Sequence, residues 1–421
     1  MNSLFTSLGN VAFGTRRHGA AKNDAKIGAR VYLDYSAMAP LDGAVLEAML
    51  PYFDRRFGNP SSLHENGRRS REAIETARAR VAETIGAHPQ EIIFTGSGTE
   101  SDNLALFGAA RANRARGNHI ITCAVEHKAV LHAAEALAKE GFQVTVLPVN
   151  SAGRIDVSEC LSAITEKTIL ISLMYVNNEL GTVEPVRELA EALRARRRDE
   201  FPLFHTDACQ ASNLFLLNVK ELGVDLMTVN SSKIYGPTGA GLLYKREGVA
   251  LAPIIVGGEQ ERNFRSGTES IPFIVGLAEA LEKAQAGREA EYARLAELRK
   301  YFVMELTERI PGIIINGDRH AQAPSIAHVT IPLVEGESML LRLDAMGVSV
   351  STGSACSAFD LRPSHVLLAI GQNPELVHGS IRFSLGRHTT KKELEYVLEV
   401  FPEIVHNLHS MSALTLSPPS L

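Results

Sequence analysis

The chain has 421 residues, 45% of them hydrophobic and 22% charged, the make-up of an ordinary globular protein with room for two domains. Its 43 Lys and Arg against 48 Asp and Glu leave a net charge of -5, which excludes nucleic acid as a bulk electrostatic partner. No apolar run approaches the roughly 20 residues needed to span a membrane.

Residues 1–30 stand apart, with Arg16, Arg17, Lys22, Lys26 and Arg30 against the single acid Asp24. The composition fits a plain flexible extension and also a transit peptide. The expected location is therefore cytoplasmic, or an organellar matrix if the segment is a targeting signal. Four cysteines, Cys123, Cys160, Cys209 and Cys356, form no Cys-x-x-Cys pair. This argues against a zinc ribbon, a self-contained iron–sulfur site or a disulfide scaffold and leaves reduced thiols, with no intrinsic metal expected.

From residue 91 onward apolar runs alternate with helical patterns. Strands are expected at 91–95, 119–124, 143–149, 168–176, 203–206, 225–230 and 241–244, and helices at 101–116, 128–140, 156–164 and 185–197. Strands that are apolar without strict alternation, separated by helices, belong to a sheet covered on both faces. The fold class is α/β, a doubly wound and mainly parallel sheet. A long helix at 273–309 leads to shorter units: strands at 313–315, 326–331 and 381–385, and helices at 337–346 and 391–408. These describe a smaller α+β domain of a size that carries its own core. The expected division is an extension at 1–30, a large domain at 39–288, and a small domain built from 31–38 and 289–421.

Ligands of open α/β sheets sit at the carboxyl ends of the strands. The first such end reads Gly96-Ser97-Gly98-Thr99, where glycines and the free amides of a helix start make a phosphate cradle. Neither the Gly-Lys-Ser/Thr of a nucleotide loop nor the spacing of a dinucleotide site is present. The next ends carry His127, Asn178, Asp207 with Gln210, and Lys233, which follows the apolar strand 225–230 and the small residues Asn230, Ser231 and Ser232. A lysine so fenced is a candidate reactive amine. A ring to stack, a carboxylate, two amides, an amine and a phosphate nest are the parts that hold pyridoxal 5'-phosphate. The lysine forms the Schiff base and the aspartate partners the pyridinium nitrogen.

Seven motifs then carry a resemblance. They are Thr-Glu-Ser-Asp-Asn at 99–103, Glu-His-Lys-Ala-Val at 126–130, Val-Asn-Asn-Glu-Leu-Gly at 176–181 and Lys-Ile-Tyr-Gly-Pro at 233–237, followed by Arg-Ser-Gly-Thr at 265–268, Gly-Ser-Ala-Cys at 353–356 and Ser-Ile-Arg-Phe-Ser-Leu-Gly-Arg at 380–387. In this order, from Val31 to about Leu408, the chain resembles the cysteine desulfurases, fold-type I, class V pyridoxal-phosphate enzymes.

The resemblance implies roles. Lys233 would hold the cofactor, His127 would stack on its ring and move protons, Asp207 would pair with the ring nitrogen, and Gln210 would lie near the ring hydroxyl. Gly98 and Thr99 would bind the phosphate, and Thr268 would reach the phosphate of the neighbouring subunit, making a homodimer the working unit. Arg382 and Asn178 would hold the carboxylate of L-cysteine. Cys356, in a run of small residues that suits an exposed loop, would be the nucleophile that takes the sulfur as a persulfide and releases L-alanine. A sulfur-acceptor protein follows, an iron–sulfur scaffold or a tRNA-thiolation protein, and Cys356 could serve as a shared iron–sulfur ligand.

Three departures from the family pattern stand out. Asn230-Ser231-Ser232-Lys233 replaces the usual Ser-x-His-Lys, so Asn230 and Ser232 are expected to serve as weaker phosphate donors, with looser cofactor retention. Ala37-Met38-Ala39-Pro40 replaces Ala-Thr-Thr-Pro. The stretch 410–421 lacks the longer tail with which members dock the scaffold, which leaves the acceptor open. The alternatives are a selenocysteine lyase or other class V enzyme, and a cofactor-poor scaffold member of the family.

Overall fold

The computed structural model describes residues 30–196, 201–352 and 363–411. The chain enters through a two-residue strand, β1 (Val31–Tyr32). Seven strands then build the main sheet: β2 (Ile92–Thr95), β3 (His119–Cys123), β4 (Gln143–Leu147), β5 (Thr168–Ser172), β6 (Leu203–Asp207), β7 (Leu226–Asn230) and β8 (Gly241–Lys245). Their spatial order is β2-β8-β7-β6-β5-β3-β4. Only β8 runs against the rest, pairing antiparallel with both β2 and β7. Every residue of β3, β5 and β6 is buried, as expected where helices cover both faces of a parallel sheet.

Two hydrophobic cores flank this sheet. One includes Ile74, Val81, Phe204, Met227 and Leu277, the other Leu104, Ile120, Val130, Leu170 and Leu243. Strands β9 (Ile314–Asn316), β10 (Ile326–Thr330), β11 (Val348–Ser349) and β12 (Ser380–Ser384) follow the helix Ile271–Arg309. The antiparallel sheet β12-β10-β9 packs on a third core with Leu295, Phe302, Phe383 and Phe401, and β1 joins β11 in parallel beside it. Val366, Leu367 and Val377, late in the chain, pack instead into the first core of the large sheet.

Several elements differ from the sequence expectation. The 21-residue helix Glu65–Ile85 has no counterpart in it. Its sequence is rich in Arg, Glu and Ala, and its apolar stripe is thin, with Ile74, Ala77, Val81 and Ile85 buried. Gly86 closes it in the left-handed conformation at φ 71°, a position a side chain resists. Strand β5 ends at Ser172 rather than 176, because Leu173 and Tyr175 reach the carbonyls of His205 and Asp207 while the chain turns into Asn177. The helix expected at 101–116 begins at Gly98, with the Ser97 hydroxyl receiving the Glu100 amide.

Candidate active site

Because β2, β3, β5, β6 and β7 run the same way, the residues that follow them gather at one edge of the sheet. A cavity of about 740 Å³ opens there, with Gly98, Thr99, His127, Asn178, Asp207, Gln210, Asn230, Lys233 and Arg382 among its walls. Pro363, Ser364 and His365 contribute a further wall.

Lys233 ends a short 3-10 turn, Ser231–Lys233, that follows β7 directly. Asn230 caps the turn: its Oδ1 receives the Ser232 amide at 2.9 Å and the Ser232 hydroxyl at 3.0 Å. The turn is stopped at Tyr235, a buried residue with φ 63°, and by Gly236 and Pro237 beyond it. Lys233 Nζ is thereby directed into the cavity, where it donates to the Ala37 carbonyl at 2.5 Å.

The cradle is the N-terminus of the helix Gly98–Ala112. A Cβ on Gly98 would stand 2.9 Å from Cys209 Sγ and 3.3 Å from the Asn230 amide nitrogen, so only glycine lets this backbone turn pass. Glu100 braces the turn, receiving the Gly96 amide at 2.9 Å and Arg265 Nε at 2.8 Å. The first-turn amides and the helix dipole favour an anion there.

His127 caps the helix Lys128–Lys139, its Nδ1 receiving the Ala129 amide at 3.1 Å. Asp207 receives the Cys209 amide at 2.9 Å, and Gln210 donates to the Ser36 carbonyl at 2.9 Å. Beneath Asp207 a polar row crosses the sheet, His205 joining Ser172 at 2.8 Å and Thr228 at 3.1 Å. Burial holds His205 down at about 4, so its ring is neutral. Burial and the nearby Asp207 push the Asp102 carboxyl well up.

At the opposite side of the cavity β12 supplies Arg382. It donates to the Asn178 carbonyl at 2.8 Å and to Asp34 at 3.0 Å, while its buried Nε has no partner among the described residues. Both terminal nitrogens are thus anchored, which fixes the planar guanidinium on the cavity wall, a group that suits a carboxylate.

Some residues named from the sequence are placed elsewhere. Ser231 is fully buried with its hydroxyl against Gly236, and Ser232 turns its hydroxyl to Asn230; neither belongs to the cavity wall. Thr268 is exposed and off the wall of its own chain's cavity. Cys356 lies outside the described residues.

Glu179, Ser364 and His365 are wall residues that sequence reasoning assigned no role, although Glu179 stands within the motif at 176–181. The Ser364 hydroxyl donates to Glu179 at 2.5 Å. Burial pushes the Glu179 carboxyl up to about 7, against the pull of that hydroxyl and of Arg382 and Lys128. A carboxyl that keeps its proton to higher pH when folded favours the native state below its unfolded value, and loses that contribution as pH rises through about 7. Glu179→Gln removes the effect. In denaturant unfolding its stability is expected to gain on the wild type between about pH 5 and about pH 7, by up to about 1.4 kcal/mol per pH unit. Parallel curves would contradict this.

The description aminotransferase class-V matches residues 31–397. A cysteine desulfurase, IscS, of Dictyoglomus turgidum is 49% identical over 91% of this chain and 96% of its own. The chain belongs to the cysteine desulfurase family. A solved NifS-like protein overlays with a TM-score of 0.84 at 35% identity, covering 90% of this chain and 100% of its own. The structure of SspA in complex with cysteine overlays with a TM-score of 0.75 at 33% identity, covering 86% and 100%. Relatives of this family are pyridoxal-phosphate enzymes, and the fold is the fold-type I arrangement described above. Among the described residues no helix is long and apolar enough to cross a membrane.

Proposed function

We propose that the cavity holds pyridoxal 5'-phosphate and that the chain converts L-cysteine to L-alanine, passing the sulfur to Cys356 as a persulfide. The single observation that carries this reading is the convergence of the Lys233 amine, the Asp207 carboxylate, the His127 ring and the Gly98 helix start on one cavity. The donor set fits the group: a helix N-terminus and the Asn230 amide for the phosphate, a buried carboxylate for a ring nitrogen, and an amine within the same walls. Bound there, the cofactor would supply an electron sink for the substrate's α-carbon.

The chain's own residues do the rest. Arg382, with Asn178 beside it, would orient the substrate carboxylate. Lys233 Nζ would take the proton from the substrate α-carbon, and His127 would move protons near the ring face. The Cys356 thiolate attacks the substrate sulfur, so that an S–S bond forms, the Cβ–S bond breaks and Cβ gains a proton. The described residues on either side of the stretch that carries Cys356 stand at the site: Ser351 pairs with Arg382, and Pro363 lies on the cavity wall. Their positions support the assignment of Cys356 to this site. The persulfide sulfur then goes to an acceptor protein, for iron–sulfur cluster assembly or tRNA thiolation, and the domain division, 39–288 against 31–38 with 289–421, is proposed with it.

A homodimer is part of the reading. Leu50, Phe53, Phe57 and Leu63 are 52%, 56%, 63% and 82% exposed, an apolar run that a second copy would cover. Replacing Leu50 and Phe53 together by glutamate is expected to yield monomers in light scattering; an unchanged dimer would move the interface elsewhere.

The test of the function is the absorption spectrum of the purified protein before and after L-cysteine, with alanine assayed in the same tube. A yellow band that shifts with cysteine, together with alanine, supports the reading. A colourless protein that stays inert after added cofactor would sink it.

A further inference from the structure

Three consecutive residues with side chains, Glu261, Arg262 and Asn263, hold left-handed backbone, at φ 46°, 55° and 65°. L-residues resist that conformation, so the surrounding structure must impose it. Glu261 is buried. Its carboxylate receives Arg78 Nη1 at 2.8 Å, Arg78 Nη2 at 2.7 Å and the Phe94 amide at 2.8 Å. Arg78 also donates to the Ile92 carbonyl at 2.9 Å, and Arg262 donates to the same oxygen. Strand β2 is an edge of the sheet, so these side chains occupy groups that its open edge presents. A buried ion pair is a poor way to add stability, since apolar residues of the same volume do as well. What it fixes is geometry.

The geometry leads to the cradle on both sides. Strand β2 runs from Ile92 straight into Gly96, Ser97 and Gly98. After the left-handed turn, Arg265 grips Glu100 at 2.8 Å in the first turn of the cradle helix. Beyond that second tie Thr268 is exposed. Phe273, five positions later, packs against Phe53 with ring centroids 6.3 Å apart, on the apolar face assigned to the second copy.

We propose that Glu261 and Arg78 are positioning residues for the phosphate end of the neighbouring copy's site: their pair imposes the turn, and the turn presents Thr268 across the face between copies. This rests on the cofactor and homodimer reading above and on the role across the subunits that the family resemblance implies for Thr268.

Full-length apoprotein would be titrated with pyridoxal 5'-phosphate and, separately, with pyridoxal, which lacks the phosphate, with light scattering on each sample. Glu261→Ala is expected to weaken binding of the phosphorylated cofactor roughly ten-fold or more, the loss of charge-assisted hydrogen bonds to a phosphate. Pyridoxal affinity should stay within about two-fold and the dimer should persist, because neither uses those bonds. Thr268→Ala should show the same selective loss, and the double variant should bind no more weakly than Glu261→Ala, since both act through one contact. Equal weakening of both ligands, or additive losses, would overturn the proposal. If Thr268→Ala binds like the wild type, the cross-subunit reading itself fails. A loss in Thr268→Ala with none in Glu261→Ala fails this inference alone. Should Glu261→Ala not fold, Glu261→Gln decides, because it keeps an acceptor for the Phe94 amide and loses the charge. An unchanged ratio of the two affinities in that variant overturns the proposal.

Discussion

Lys233→Ala is expected to abolish the yellow band of bound cofactor and to lower alanine formation at least about a thousand-fold, since it removes both a covalent anchor and a proton acceptor. The fold should survive. The Lys233 hydrogen bond to the Ala37 carbonyl is a contact that contributes about 1 kcal/mol. The melting temperature of the apoprotein should therefore change little. The control is Lys128, the other lysine on the cavity wall. It begins the helix that His127 caps and is not part of the strand-end turn. Lys128→Ala should keep the band. Borohydride reduction of the wild type followed by peptide mapping gives an independent answer: the cofactor mass should sit on the peptide with Lys233. Finding it on Lys128 would reverse the assignment.

The strand ends were legible because parallel strands buried on both faces have little use for polar side chains. His127, Asp207 and Lys233 therefore stood out against apolar runs, and the structure brings them to one cavity. What was not legible depends on partners remote in sequence. Arg78 and Glu261 lie 183 positions apart, and nothing local in either segment announces a buried bidentate pair. Arg382 sits on a strand of the smaller sheet, so its approach to Asn178 follows from how the two sheets meet. Ser232 shows a different limit. Its type suggested a phosphate donor, but a 3-10 turn capped by Asn230 uses its hydroxyl internally. The helix Glu65–Ile85 escaped notice because charge and alanine dilute its apolar period.

Cys356→Ser should keep the yellow band and its shift on adding L-cysteine, yet lose alanine and sulfide production at least about a thousand-fold, because a serine hydroxyl is a far poorer nucleophile than a thiolate at neutral pH. The other cysteines make poor substitutes. Cys123, Cys160 and Cys209 are buried. Burial pushes the Cys160 thiol up to about 12, and burial with the Glu126 carboxylate raises that of Cys123. Cys209 is the serious rival, since it lines the cavity beside Asp207. Burial and the negative charges of Asp207 and Asp102 push its thiol well above the ordinary value, so it stays protonated and unreactive. Cys209→Ser should accordingly retain most of the activity. Mass analysis after a single turnover in the wild type should find one added sulfur on the peptide with Cys356 and none on the peptide with Cys209. A persulfide on Cys209, or normal sulfide release by Cys356→Ser, would transfer the nucleophile's role to the buried thiol and require a different path for sulfur out of the cavity.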